Sequence, residues 1–229
     1  MTQKNTLLSK YGREGDDKKI LVKRIPILIV VEGKTEEEYF KKCKEKYGLQ
    51  EVTVTNNGTH TSPLQIVQAL EQKKTTLNDR TKSVAVFFAV FDHCKKDPNT
   101  GKDVYNEAIE LCKKNKFTPI TSKPSFEFWL LLHFTETDGE MSAKEAEQKL
   151  NTYYKSQLKK EYKKGSSDTF ENTVRYLPKA IEHAEKTWKK ERKRTSATED
   201  WRKKEKGSYT NVYELIKEIG VEVKAKKMI

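Results

Sequence analysis

Two rhythms of hydrophobic and polar positions divide this chain. Up to about residue 121, short apolar runs alternate with amphipathic stretches. Residues 25–31 form the first run, rich in Ile and Val. They predict a buried strand of a parallel sheet, with Pro26 tolerable at its start. Glu32-Gly33-Lys34 ends the run, and a helix is expected next on the stripe Tyr39, Phe40, Cys43 and Tyr47, with Gly48 as its stop. Thr35 and Glu38 have the spacing of a capping box at its start. Residues 51–55 alternate and predict a second strand, followed by a turn at Asn56-Asn57-Gly58. Ser62, Pro63 and Gln65 open a second helix, whose apolar face carries Ile66, Val67 and Leu70. Residues 84–91 are apolar on both faces, end at Asp92, and predict the most buried strand. After a polar loop through Asp97-Pro98-Asn99 and Gly101, residues 104–114 are amphipathic and 117–121 predict a fourth strand. Strands alternating with helices predict an α/β fold with a roughly four-stranded, largely parallel sheet flanked by helices.

The pattern changes after Ser122. Residues 126–134 are dense in aromatics and leucines and should be buried. From Ser142, which forms a capping-box pair with Glu145, the chain is helical in character. Residues 168–194 carry a long helical pattern interrupted near Pro178, and Gly165-Ser166-Ser167 is the clearest internal hinge. Residues 209–219 predict a last helix with Val212, Leu215, Ile216 and Ile219 on one face. There are no internal repeats. The expected organisation is a polar lead-in (1–24), an α/β core (25–135) and a helical region (136–229) whose last helix packs back on the core.

Composition adds a partner class. The 229 residues include 46 Lys+Arg against 34 Asp+Glu, a net charge of +12. That excess favours a polyanion, most often nucleic acid. The charge has a focus: residues 186–206 hold 10 basic and 4 acidic residues. This segment is a candidate backbone-gripping arm, with Lys189, Lys190, Arg192, Lys193 and Arg194 at its centre. The start of the chain lacks a signal-peptide apolar stretch, and run 84–91 falls far short of the ~20 residues of a membrane helix. Cys43, Cys94 and Cys112 are scattered and make neither a disulfide framework nor a zinc pattern. A cytoplasmic, soluble protein is expected, with no membrane partner.

The candidate chemistry starts with Glu32 and Asp92, which end the first and third predicted strands. Ligands of open parallel sheets bind outside the carboxyl ends of the strands, so both acids would face one crevice. Buried carboxylates need a partner or a metal, and hard oxygen donors suit Mg²⁺ or Mn²⁺. Gly33-Lys34-Thr35 imitates the end of a phosphate-binding loop, but Leu28 stands where the upstream glycine belongs. Glu127, set among apolar residues, and Glu36, on the first helical turn, are further candidate acids. His133 is a candidate proton carrier as well as a structural hydrogen-bonding group. Lys34, Lys95, Lys96 and Lys123 could steer a phosphate backbone.

These residues also fall into motifs. Val31-Glu32-Gly33-Lys34-Thr35-Glu36 followed by Tyr39-Phe40 resembles the first motif of Toprim domains, above all in the RloB family, which includes the AbiLii abortive-infection proteins. The block from Ser122 to Phe134, SKPSFEFWLLLHF, closely resembles that family's signature, and Tyr209-Thr210-Asn211-Val212-Tyr213 is similar to an element near its C-terminus. The resemblance implies a Toprim fold, a Mg²⁺- or Mn²⁺-dependent nuclease site and a role in defence against phage. It also implies an ATPase partner of the AAA or ABC type. Glu32 matches the Toprim glutamate, taken as general acid/base and metal-proximal, and Asp92 the first acid of the DxD motif. The chain departs from DxD at Cys94, where thiol replaces a hard ligand; Asp97 or Glu127 is the candidate replacement. That departure keeps a non-catalytic nucleic-acid-binding or sensor module open beside the nuclease, and a primase- or recombination-type factor behind both. DNA and RNA, transfer RNA included, stay open as targets, as does a homodimer.

Overall fold

The computed structural model describes residues 25–58, 62–93, 103–137, 139–194 and 207–220. Among these, five strands form one sheet: β1 (Ile27–Val31), β2 (Val52–Asn56), β3 (Val86–Asp92), β4 (Thr118–Lys123) and β5 (Tyr209–Thr210). Their spatial order is β2-β1-β3-β4-β5. The first four pair in parallel, while β5 runs antiparallel to β4 through Ser122–Thr210 and Lys123–Tyr209. The protein is thus α/β with a mostly parallel sheet, one short strand wider than the expected four.

The period-two alternation of side chains divides the strands between two cores. Ile27, Ile29 and Val31 of β1, with Phe88 and Val90 of β3, belong to one; Val30, Phe87, Ala89 and Phe91 belong to the other. The second core is closed by α2 (Pro63–Thr76) and α4 (Val104–Asn115), through Ile66, Val67, Leu70, Tyr105, Ala108, Ile109 and Cys112. The first, larger core is closed by α1 (Lys34–Tyr47) and by most of the chain after β4. Burial on both faces explains why β1 and β3 read as continuous apolar runs. The short α3 (Asp79–Lys82) precedes β3.

Beyond β4 come α5 (Phe126–Leu131), α6 (Ala143–Tyr153) running into a π turn at Tyr154–Leu158, α7 (Thr169–Thr173), α8 (Leu177–Arg194) and α9 (Val212–Glu218). The break in the 168–194 pattern is a 3-10 turn at Val174–Tyr176. Pro178 therefore falls in the first turn of α8, where its missing N–H costs no helical hydrogen bond. The capping boxes at Ser62 and Ser142 are present. The one expected at Thr35 is not: Gly33 caps α1, and the Thr35 hydroxyl accepts the Gly165 N–H (2.9 Å) instead.

The last element also departs from the sequence pattern. Tyr209 and Thr210 were expected in the final helix but form β5. Asn211 makes the transition. Its Oδ1 accepts the Thr121 N–H (2.6 Å), and its Nδ2 donates to the Pro119 carbonyl (3.1 Å) and to Glu214 (3.0 Å). One amide thus bolts α9 to β4. Trp129, Leu130, Leu131 and Leu132 share the larger core with Leu177, Ala180, Ala184 and Trp188 of α8, so a single packed interior runs through both regions of the chain. No helix among the described residues is long and apolar enough to cross a membrane.

Candidate active site

The topology locates the crevice. β1 and β3 are neighbours, but the helices that follow them, α1 and α4, pack in opposite cores. The loops leaving these strands therefore diverge, and the carboxyl ends at such a switch point are where open parallel sheets bind ligands. Glu32 follows β1 and Asp92 is the last residue of β3. They meet there: the Asp92 backbone N–H donates to Glu32 Oε2 at 2.9 Å.

Two more carboxylates join them. Glu36, in the first turn of α1, is 5% exposed. A Cβ on Gly33 would stand 2.7 Å from its Oε2, so the glycine leaves room for this carboxylate. Glu127, in α5, is 2% exposed and well supplied with partners. Ser125 Oγ donates to Oε2 (2.7 Å), the Tyr162 hydroxyl donates to Oε1 (3.1 Å), and Lys164 Nζ lies 3.4 Å from Oε1.

Burial dominates the electrostatics. It raises Glu32 from 4.5 to about 7, although the Asp92 N–H and Lys164 pull it back. It raises Glu36 to about 7 as well, with Glu127 and Glu32 adding repulsion. Asp92 lies well above its ordinary 3.8, through burial first and then through Glu36, Glu32 and Glu127. The four acids thus feel one another, and the field of Lys164 reaches all of them. Burial pulls the Lys164 ammonium down, but Glu127, Asp92 and Glu36 more than reverse this.

Lys164 was not singled out by its sequence context. It belongs to a loop that crosses the site between the π turn and α7. Gly165, the expected hinge, has φ +73 and is pinned by its N–H to Thr35 Oγ1. The stem of Lys34 lies 3.4 Å from where a Gly165 Cβ would be. Lys34 itself is exposed at the start of α1. The hinge glycine is therefore a docking point over the crevice, which only the folded chain reveals.

Other expected site residues lie elsewhere. His133 is fully buried. Its Nδ1 donates to the Trp129 carbonyl (3.1 Å), which leaves Nε2 to accept from the Tyr39 hydroxyl (3.3 Å). Burial lowers its imidazole to about 3, so it is neutral at physiological pH and packed edge-on against Trp129 and Tyr39. Its hydrogen bonds run to the aromatic core rather than to the acids. Lys123 ends β4. Lys189, Lys190, Arg192 and Lys193 lie exposed on α8, while Trp188 and Glu191 turn inward. Arg194 ends that helix. Cys94, Lys95, Lys96, Asp97, the side chain of Arg194 and residues 195–206 of the basic segment lie outside the described residues.

The carboxylate oxygens gathered here are hard donors, the chemistry that Mg²⁺ and Mn²⁺ prefer. Among the described residues, no three His, Cys, Asp or Glu side chains converge closely enough to hold an ion together. The donor set fits a cation that keeps several waters and takes only one or two protein carboxylates.

A family model described as RloB-like protein matches residues 27–219, from the first residue of β1 to just past α9. The chain belongs to the RloB-like family. The match spans every strand of the sheet and all four acids. No curated protein and no solved structure matches the chain.

Proposed function

We propose that this RloB-like protein is a nuclease of the Toprim type, cutting phosphodiester bonds of DNA or RNA with Mg²⁺ or Mn²⁺ in a prokaryotic anti-phage system. One observation carries the reading: Glu32, Glu36, Asp92 and Glu127 meet at the carboxyl ends of β1 and β3, with the Asp92 N–H on Glu32. A fold can maintain such repulsion where a charge must be gathered for function. Glu32 and Asp92, with Asp97 from the following loop, would hold the metal, which when bound polarises a phosphate and activates water. Glu32 would also act as the general acid or base, the role that the family resemblance implies. Glu36 shares the field of these acids, since Glu127 and Glu32 both raise its carboxyl. Lys34, Lys95, Lys96 and Lys123 would steer the phosphate backbone, and the basic arm at 186–206 would hold the strand beyond the crevice. The ATPase partner is carried by the family resemblance alone. A second reading, a nucleic-acid-binding module without catalysis, is supported by Cys94, which stands where a second DxD acid is expected.

Cleavage of DNA, messenger-like RNA and transfer RNA in Mg²⁺, Mn²⁺ or chelator distinguishes the readings. Glu32→Gln and Asp92→Asn should each lower metal-dependent cutting by about 10²-fold or more while leaving the fold intact. Cutting that survives both substitutions would remove these residues from the site. Binding without cutting, with or without an ATPase, would favour the second reading.

A further inference from the structure

Lys164 has no role in the chemistry described so far, yet its placement is specific. Its ammonium lies 3.4 Å from Oε1 of Glu127, a carboxylate 3% exposed, while 64% of its own side chain is open to solvent. The loop bearing it is fastened on both sides of that contact. On one side Tyr162, itself 8% exposed, donates to Glu127; on the other the Gly165 N–H donates to Thr35. The loop therefore holds a cation against Glu127 of α5, and its field reaches Glu32 and Asp92 at the strand ends and Glu36 in α1.

We propose that Lys164 is the resident counter-cation of the acid cluster, and that a divalent cation entering the crevice competes with it. The second half rests on the metal-dependent reading above. The physical argument is charge balance. Carboxylates gathered in a buried crevice repel one another unless a positive charge sits among them. A lysine on a solvent-facing loop supplies that charge and can also withdraw, because water already covers most of its stem and receives its ammonium at little cost. A fully buried arginine fork would be a permanent partner; an exposed, single-point ammonium is a replaceable one.

The test uses the full chain stripped of metal by chelator, with Lys164→Met, Lys164→Arg, Glu127→Gln and the Lys164→Met/Glu127→Gln double variant. In chelator, Lys164→Met should lower the melting temperature by about 3 °C and Lys164→Arg should not. In the Glu127→Gln background the Lys164→Met effect should largely vanish, which the loss of mere stem packing would not produce. By calorimetry, Mn²⁺ should bind Lys164→Met about tenfold more tightly than wild type, since a competitor has been removed. Unchanged stability of Lys164→Met in chelator, strictly additive losses in the double variant, or weaker Mn²⁺ binding without Lys164 would each overturn the proposal. Coupling between Lys164 and Glu127 with no Mn²⁺ bound to any variant would uphold the counter-cation and reject the metal-dependent reading.

Discussion

Glu32 and Glu36 titrate near 7 in the folded chain but near 4.5 when exposed, and this gives stability a definite pH slope. Between those values the folded protein holds protons that the unfolded chain has released, so stability falls as pH rises through the window. Asp92, raised by the same burial, adds to the slope. His133 opposes it: the unfolded imidazole gains a proton near 6.5 and the folded one not until about 3, so acidification below 6.5 costs stability. Three acids outweigh one histidine. In chelator the protein should melt several degrees higher at pH 5 than at pH 7.5, and a Glu32→Gln/Glu36→Gln variant should flatten the difference. A slope of the opposite sign would show that the acids are not buried together. The acids themselves were legible from the sequence, because Glu32 and Asp92 end apolar runs and Glu127 interrupts one. Lys164 was not, since nothing in the run Lys163-Lys164-Gly165 separates it from other surface lysines.

At the scale of elements, one glycine and one asparagine do more than their local pattern suggests. Gly33 stands between β1 and α1, but its essential property is the space it leaves for Glu36. Gly33→Ala should displace that carboxylate and lower cleavage at least tenfold with little change in circular dichroism. Asn211 falls inside the helical pattern of 209–219, yet in the fold it stands just before α9 and its side chain satisfies the Thr121 N–H and the Pro119 carbonyl of β4. Asn211→Ala leaves these groups without a bond and should cost about 2 kcal/mol, a fall of roughly 6 °C in melting temperature. The reading of 209–219 as one helix fails for the same reason. Periodicity records the apolar face of α9, whereas Tyr209 and Thr210 obey the open edge of β4, which no local pattern reports.

Across the whole molecule, the sheet brings the acids to one crevice, and α8 carries exposed lysines on one side and Trp188 and Glu191 on the other. If this face grips a phosphate backbone, its contribution should be independent of base sequence and sensitive to salt. Replacing Lys189, Lys190 and Lys193 with Gln should weaken binding to all nucleic-acid sequences alike and reduce the log–log salt slope by about 2 to 3. Fluorescence anisotropy over a salt series measures both. An unchanged slope would assign the charge of α8 to solubility alone.

The amino-acid sequence by itself determined the parallel α/β core, because strands buried on both faces must be apolar throughout and the helices between them must carry one apolar stripe. It also placed Glu32 and Asp92 at strand ends, and through its motifs it pointed to the family. Tertiary structure decided what lies far apart in the chain. It brought Glu36 and Glu127 to those two acids, carried Lys164 over them on a loop fastened at Thr35, and buried His133 in an aromatic core. Such pairings depend on which strands become neighbours and on how the later chain folds back over them. Side-chain periodicity is a property of a few adjacent residues and holds no record of either.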